Sequence, residues 1–143
     1  MLLTDGQPTA APVAVNHSYM VAEGATFSLP TFRLLDNDSD IDTRKVDLAA
    51  ALVSGPSNGT LTLRADETFS YVHNGSETVT NSFTYRVSNG ITFSNAATVS
   101  LTITPSNDAP TITALAPQTV EQGRTLTFTA VATDPDDSNL TLE

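Results

Sequence analysis

The sequence predicts an all-β protein: one Greek-key β-sandwich of about seven strands, followed by the opening of a second copy. Two observations carry this. Short runs of alternating apolar and polar residues recur about every ten residues between turn signals, with no helical period. The chain also resembles itself at an offset of about one hundred residues, the length of one whole sandwich.

The strands can be placed in order. Tyr19 and Val21 share a face of the first, and Thr26 to Leu29 follow the Glu23-Gly24 turn. Leu48 to Val53 is a more continuous apolar run, which suits a strand covered on both faces. Pro56-Ser57-Asn58-Gly59 is a turn, since Pro presets φ and Gly accepts a positive one. Leu61 and Leu63 alternate with Thr60, Thr62 and Arg64. Asp66-Glu67 then turns the chain into Phe69 and Tyr71, and Asn74-Gly75 closes that hairpin. Phe83, Tyr85 and Val87 form one inward face, and Val99, Leu101 and Ile103 another. These residues, with Leu61, Leu63, Phe69 and Tyr71, are the predicted core. Alternation puts most of the aromatic side chains inside, which weighs against an exposed aromatic platform for sugar.

The repeat fixes the expected organisation. Ala11-Pro12 precedes Val21-Ala22-Glu23-Gly24, and Ala109-Pro110 precedes Val120-Glu121-Gln122-Gly123. An alternating strand follows each glycine, Thr26 to Leu29 and Thr125 to Ala130, and an acidic cluster follows each strand. The boundaries expected are a leader or linker over 1–10, a sandwich over 11–105, an inter-repeat linker over 106–110 and a truncated second repeat over 111–143. A half repeat cannot close a two-sheet core, so its order should be poor.

Composition removes several functions. Sixteen carboxylates against six basic residues give a net charge of −10, with no basic stripe for nucleic acid or anionic lipid. No run is apolar enough to span a bilayer. Cysteine is absent and there are two histidines, His17 and His73, so a zinc site has few ligands to draw on. Both histidines fall in turn-like contexts and read as surface residues, with no catalytic partner beside them. The opening Met-Leu-Leu-Thr-Asp-Gly has no charged and apolar leader, so an exported protein would carry its signal elsewhere in a longer chain.

The sharpest local feature is Asp36-Asn37-Asp38-Ser39-Asp40-Ile41-Asp42, with carboxylates at every second position. In extended geometry these four share one face with neighbours roughly 7 Å apart. Each neighbouring pair then repels by roughly 2 kcal/mol at an effective dielectric of about 20. Calcium, which takes several oxygens in irregular geometry, relieves that repulsion. A calcium-binding helix-loop-helix is a poor fit, because Ile41 stands where that loop needs glycine and no helices flank it. Solvated turn acids without a metal are the plain alternative. A second set is dispersed: Asn107-Asp108 in the linker, Glu23 after the first long strand, and Asp134, Asp136 and Asp137 in the second repeat. Together they could cage an ion where the repeats join.

Several motifs in order carry a family likeness: Ala11-Pro12-Val13-Ala14-Val15-Asn16, Ser18 through Gly24, Leu35 through Asp40, Val53-Ser54-Gly55-Pro56, Asn58-Gly59-Thr60-Leu61, Ser82 through Val87, and Thr104 through Pro110. They resemble the bacterial cadherin-like tandem repeats of large surface adhesins. The resemblance implies a cadherin- or Ig-like sandwich, and calcium ligands at Glu23, Asn107, Asp108, Asp134 and Asp136. It further implies an extracellular, secreted or cell-surface setting, with adjacent repeats of the same polypeptide as partners and a host or neighbour-cell protein or glycan as a target. Asn81, Asn89 and His17 stand where such repeats often carry Asp, and Glu67 where they often carry Gly. Neutral Asn89 is a weaker ligand than Asp.

The expected function is a non-catalytic, calcium-stiffened spacer serving cell adhesion. The alternatives are a carbohydrate- or protein-binding module attached to a secreted enzyme, and a hydrolase fragment.

Overall fold

The structure is a computed structural model of the 143-residue chain, and it describes residues 9–29 and 34–141. The chain divides into two compact units, Met1–Pro105 and Ser106–Glu143.

Among the described residues the first unit holds seven strands: β1 His17–Ala22, β2 Thr26–Ser28, β3 Ala49–Ser54, β4 Gly59–Leu63, β5 Phe69–His73, β6 Thr80–Ser88 and β7 Ala97–Thr104. They form a four-stranded sheet in the order β1-β7-β6-β3 and a three-stranded sheet in the order β2-β5-β4. The chain changes sheet between β1 and β2, and again between β2 and β3, β3 and β4, and β5 and β6. Only β4–β5 and β6–β7 are sequential antiparallel neighbours. β1 instead pairs in parallel with the last strand, from His17 opposite Val99 to Ala22 opposite Thr104.

The predicted inward faces are the observed ones. Phe69, Tyr71, Phe83, Tyr85, Val87 and Val99 are fully buried, with Leu101 and Ile103 beside them. Leu61 and Leu63 are half-buried against this core. The aromatic rings meet across the sheets, Phe69 edge-on to Phe83 with centroids 5.2 Å apart. Offset and edge-on ring contacts of this kind add about 0.5–1.5 kcal/mol beyond their area.

Four details differ from the sequence reading. β3 is the edge of its sheet, and Leu52 and Val53 are half exposed. The run looked doubly covered because small alanines kept it apolar without filling space. Asn74-Gly75 does not close a hairpin; it begins the crossing from β5 in one sheet to β6 in the other. The histidines are not surface residues. His73 is 3 % exposed and continues the inward alternation of Phe69 and Tyr71. Its Nδ1 accepts N–H bonds from Gly24 and Gly75, which leaves Nε2–H for the Thr78 hydroxyl. His17 is half-buried, stacks on Tyr19 and donates from Nε2 to the Leu34 carbonyl at 2.8 Å.

The fourth difference lies in the second unit. There Thr111–Ile112 (β8) pairs with Ala132–Thr133 (β9), and the Thr125 to Ala130 strand is not formed. It has no neighbouring strand to complete a ladder, and Leu126 and Phe128 remain exposed.

Two turn positions are dictated by sterics. Glu67 has φ of 65° in the tight β4–β5 loop, which explains why a related repeat would place Gly there. Gly59 has φ of 146°, and a Cβ on it would lie 2.3 Å from the Val72 carbonyl oxygen and 2.7 Å from the Tyr71 ring. The close approach lets the Tyr71 hydroxyl reach the Asn58 carbonyl.

Phe83→Ala is expected to lower stability by about 3–5 kcal/mol in urea unfolding, because the ring is fully buried; an unchanged midpoint would remove it from the core. Gly59→Ala, which adds only a methyl group, should still lower stability by about 1–3 kcal/mol through overpacking and strain. Equal stability in the same assay would mean that this turn relaxes without penalty.

Candidate metal centres

The loop from Leu34 to Leu48 is pinned from below. Leu34 and Leu35 are fully buried, Leu48 nearly so, and the Leu34 N–H bonds the Glu67 carbonyl. With both ends in the core, the acids between them cannot adopt one extended run. Asp36 is exposed, and its carbonyl accepts from Lys45 Nζ. Asp38 points inward and is 1 % exposed. The expected single face of four carboxylates is therefore absent.

Asp38 is a brace. One carboxylate oxygen accepts the Val15 N–H at 2.7 Å, and the other faces the Tyr85 hydroxyl at 2.9 Å. That hydroxyl also lies 3.0 Å from the Val15 carbonyl. Next to it, Val13 and Ser39 exchange two backbone hydrogen bonds. The N-terminal segment is thus stitched to the acidic loop over the top of Tyr85. Burial pushes the Asp38 carboxyl above its ordinary value, against the hydrogen bonds from Val15 and Tyr85 and the electrostatic influence of His17 and Lys45. Burial, then the Asp38 charge, drives the Tyr85 hydroxyl far upward.

Asp40 and Asp42 form a different structure. Asp40 Oδ1 accepts the N–H groups of Asp42 and Thr43, and Asp42 Oδ2 accepts the N–H of Ala10 at 2.7 Å. The second unit repeats this pattern. Asp134 Oδ1 accepts the N–H groups of Asp136 and Asp137, and Asp136 Oδ2 accepts the N–H of Asp108. Asp40 and Asp42 therefore correspond to Asp134 and Asp136, and Ala10 corresponds to Asp108. The sequence reading had matched the clusters only as blocks.

The two corners differ in what fills them. In the first, Asp40 Oδ2 accepts the Asn89 amide and Asp42 Oδ1 accepts the Thr43 hydroxyl, so every carboxylate oxygen is bonded. Burial opposes ionisation of Asp40, but hydrogen bonds from Asp42, Asn89 and Thr43 outweigh it and hold its carboxyl below the ordinary value. In the second, Asp134 Oδ2 and Asp136 Oδ1 take no hydrogen bond among the described residues, and a third acid, Asp108, supplies the linker N–H. Asn107 beside it donates from its amide to the Asp108 carbonyl. Oxygen atoms without donors, on a backbone that holds them, fit a hard cation such as calcium; the first corner does not.

The other end of the first unit carries Glu23, just after β1, and Glu77, in the β5–β6 crossing. Their carboxylate oxygens lie within 4.8 Å of one another. The topology explains the meeting: β1 and β6 flank β7, and the Glu23 N–H bonds Thr104 while the Val79 carbonyl accepts from Ile103. Glu23 was expected as a ligand. Glu77 was missed, because a lone acid in a Ser- and Thr-rich crossing has no motif around it.

The bacterial cadherin-like domain family matches residues 9–105, well over half of the chain. The chain belongs to that family, and the sandwich over those residues is the matching domain. No curated protein matches the chain.

Asp38 makes a pH prediction. Its native carboxyl titrates above the ordinary value of 3.8, so the native state holds that proton more tightly than the unfolded chain. The contribution is present below that value and is lost as pH rises through the native pKa. The stability of the natural chain minus that of Asp38→Asn should therefore fall as pH is raised from about 3.5 toward neutral, measured by urea unfolding. A difference that stays constant or rises across the range would place Asp38 in a solvated site.

Proposed function

We propose that this chain is a non-catalytic, extracellular tandem-repeat module of a large secreted or surface adhesin, serving as a spacer stiffened by calcium. The observation that carries the reading is the second unit's acidic corner, where Asp134 holds the N–H groups of Asp136 and Asp137 while Asp136 takes the N–H of a linker residue, Asp108, that is itself an acid. Calcium supplies there the charge neutralisation that side chains do not. Asp134 Oδ2 and Asp136 Oδ1 would hold it, with Asn107 and Asp108 in the linker beside them. The Glu23 and Glu77 carboxylates, with oxygens within 4.8 Å of one another, offer a second place where a cation would be held by two acids at once. Membership in the bacterial cadherin-like family supports a repeat array whose nearest partners are neighbouring repeats of the same polypeptide.

Other observations agree with a structural role. Both histidines bond to backbone or hydroxyl groups within the sandwich. No helix of the described residues is long and apolar enough to cross a membrane. The sugar-binding alternative is weakened, because, of the candidate platform residues, Phe69, Tyr71, Phe83 and Tyr85 are fully buried and Tyr19 is half-buried against them.

Calorimetric titration and thermal unfolding in millimolar calcium, in chelator and in magnesium test the proposal. Calcium at one hundred times its dissociation constant adds about 2.7 kcal/mol, enough to raise the melting temperature of a domain this size by several degrees. Glu23→Gln with Glu77→Gln, and Asp134→Asn with Asp136→Asn, should each reduce the calcium bound. Identical curves in all three media, with no heat of binding, would leave these acids as a solvated surface.

A further inference from the structure

The Asp40–Asp42 corner of the first unit has the same carboxylate-to-backbone hydrogen-bond pattern as the Asp134–Asp136 corner of the second, yet its carboxylates are saturated by donors. The decisive residue is Asn89. Its Nδ2 lies 2.9 Å from Asp40 Oδ2 and 2.9 Å from the Ala10 carbonyl, bridging the acidic loop to the incoming chain. Its Oδ1 accepts the N–H groups of Ile91 and Thr92 at 3.1 and 2.9 Å. The amide therefore cannot be turned over, since the reverse orientation would aim –NH₂ at two backbone N–H donors and leave two oxygens facing an oxygen. Gly90 keeps φ of 83°, so the tight turn that presents the amide belongs to the backbone.

We infer that the Asn89 amide takes the place of a cation at this corner, so that the first repeat is clamped to the chain preceding it without calcium, and residue 89 decides between the two. An N–H donor and a metal ion compete for the same lone pairs. Calcium would approach Asp40 Oδ2 and the Ala10 carbonyl to about 2.3–2.6 Å, which is the space the amide nitrogen fills. It would also find Asp42 already holding Ala10 N–H and the Thr43 hydroxyl. Ala10, where the second repeat has Asp108, removes one further anionic ligand. Aspartate at position 89 would keep the bonds to Ile91 and Thr92 through one oxygen. Its other oxygen would then face Asp40 and the Ala10 carbonyl, three acceptors with no donor between them.

The inference does not depend on calcium binding at the other acids, and the experiment separates the two. The full chain is compared with Asp40→Asn and Asn89→Asp by calorimetric calcium titration and by melting in calcium and in chelator. Asp40→Asn should bind as much calcium as the natural chain, even if it melts lower. Asn89→Asp should melt lower in chelator, recover in calcium by more than the natural chain gains, and bind one additional ion. Loss of a bound calcium in Asp40→Asn would overturn the inference, as would an Asn89→Asp chain that folds and gains no ion. If Asn89→Asp stays unfolded in both media, the Asn89 side-chain amide resonance of the natural chain decides. A position unmoved by millimolar calcium upholds the clamp, and displacement on titration refutes it.

Discussion

The ends of the first repeat depend on β7 having a strand on each side. Its parallel neighbour β1 comes from the start of the repeat and its antiparallel neighbour β6 from just before it. A parallel pair cannot be joined by a short turn, so nearly the whole repeat lies between β1 and β7. The closing pair therefore has a much larger sequence separation, and a larger loop-closure cost, than the local β4–β5 hairpin. The arrangement also brings Glu23 and Glu77 beside the C-terminal end of β7, although 54 positions separate them in sequence number (77 − 23).

The opposite end is organised by hydrogen bonds from the incoming chain. Ala10, Val13 and Val15 each give an N–H to the acidic loop: to Asp42, to the Ser39 carbonyl and to Asp38. In a chain of net charge −10, every such donor relieves some repulsion as well as fixing geometry. Asp38 does this in a dry setting, where the Tyr85 hydroxyl and the Val15 N–H stand in for water. Asp40 and Asp42 do it closer to solvent, with Asn89 supplying the donor from the far end of β6. The acids that look alike in sequence thus divide into a buried brace, a clamped corner and an exposed turn residue.

Much of this was legible in the residues. Strict alternation placed Phe69, Tyr71, Phe83, Tyr85, Val87, Val99, Leu101 and Ile103 inside, because the two-residue period is a local property of a strand. The same rule applied to His73 would have turned it inward, and treating histidine as a turn residue hid it. Leu34 and Leu35 were missed as core because they lie in a loop, where no period applies. The roles of Asp38 and Asn89 depend on partners 47 and 49 positions away in the chain. No local pattern encodes such a pairing. The edge position of β3 was equally hidden, since a strand's number of neighbours is a property of the whole sheet.

The β1–β7 pair has a mechanical meaning. The chain enters β1 at His17 and leaves β7 at Thr104, and the two strands run the same way in register over six residue pairs. Tension applied through the chain on either side pulls β1 backward and β7 forward along their common axis. The load is then shared across the slanted hydrogen bonds of the ladder at once, in shear, instead of peeling them apart one at a time. Rupture under such loading is governed by the rate of unfolding. The first and last strands of the repeat are thus arranged as a longitudinal splice, with the load path passing along one edge of the four-stranded sheet.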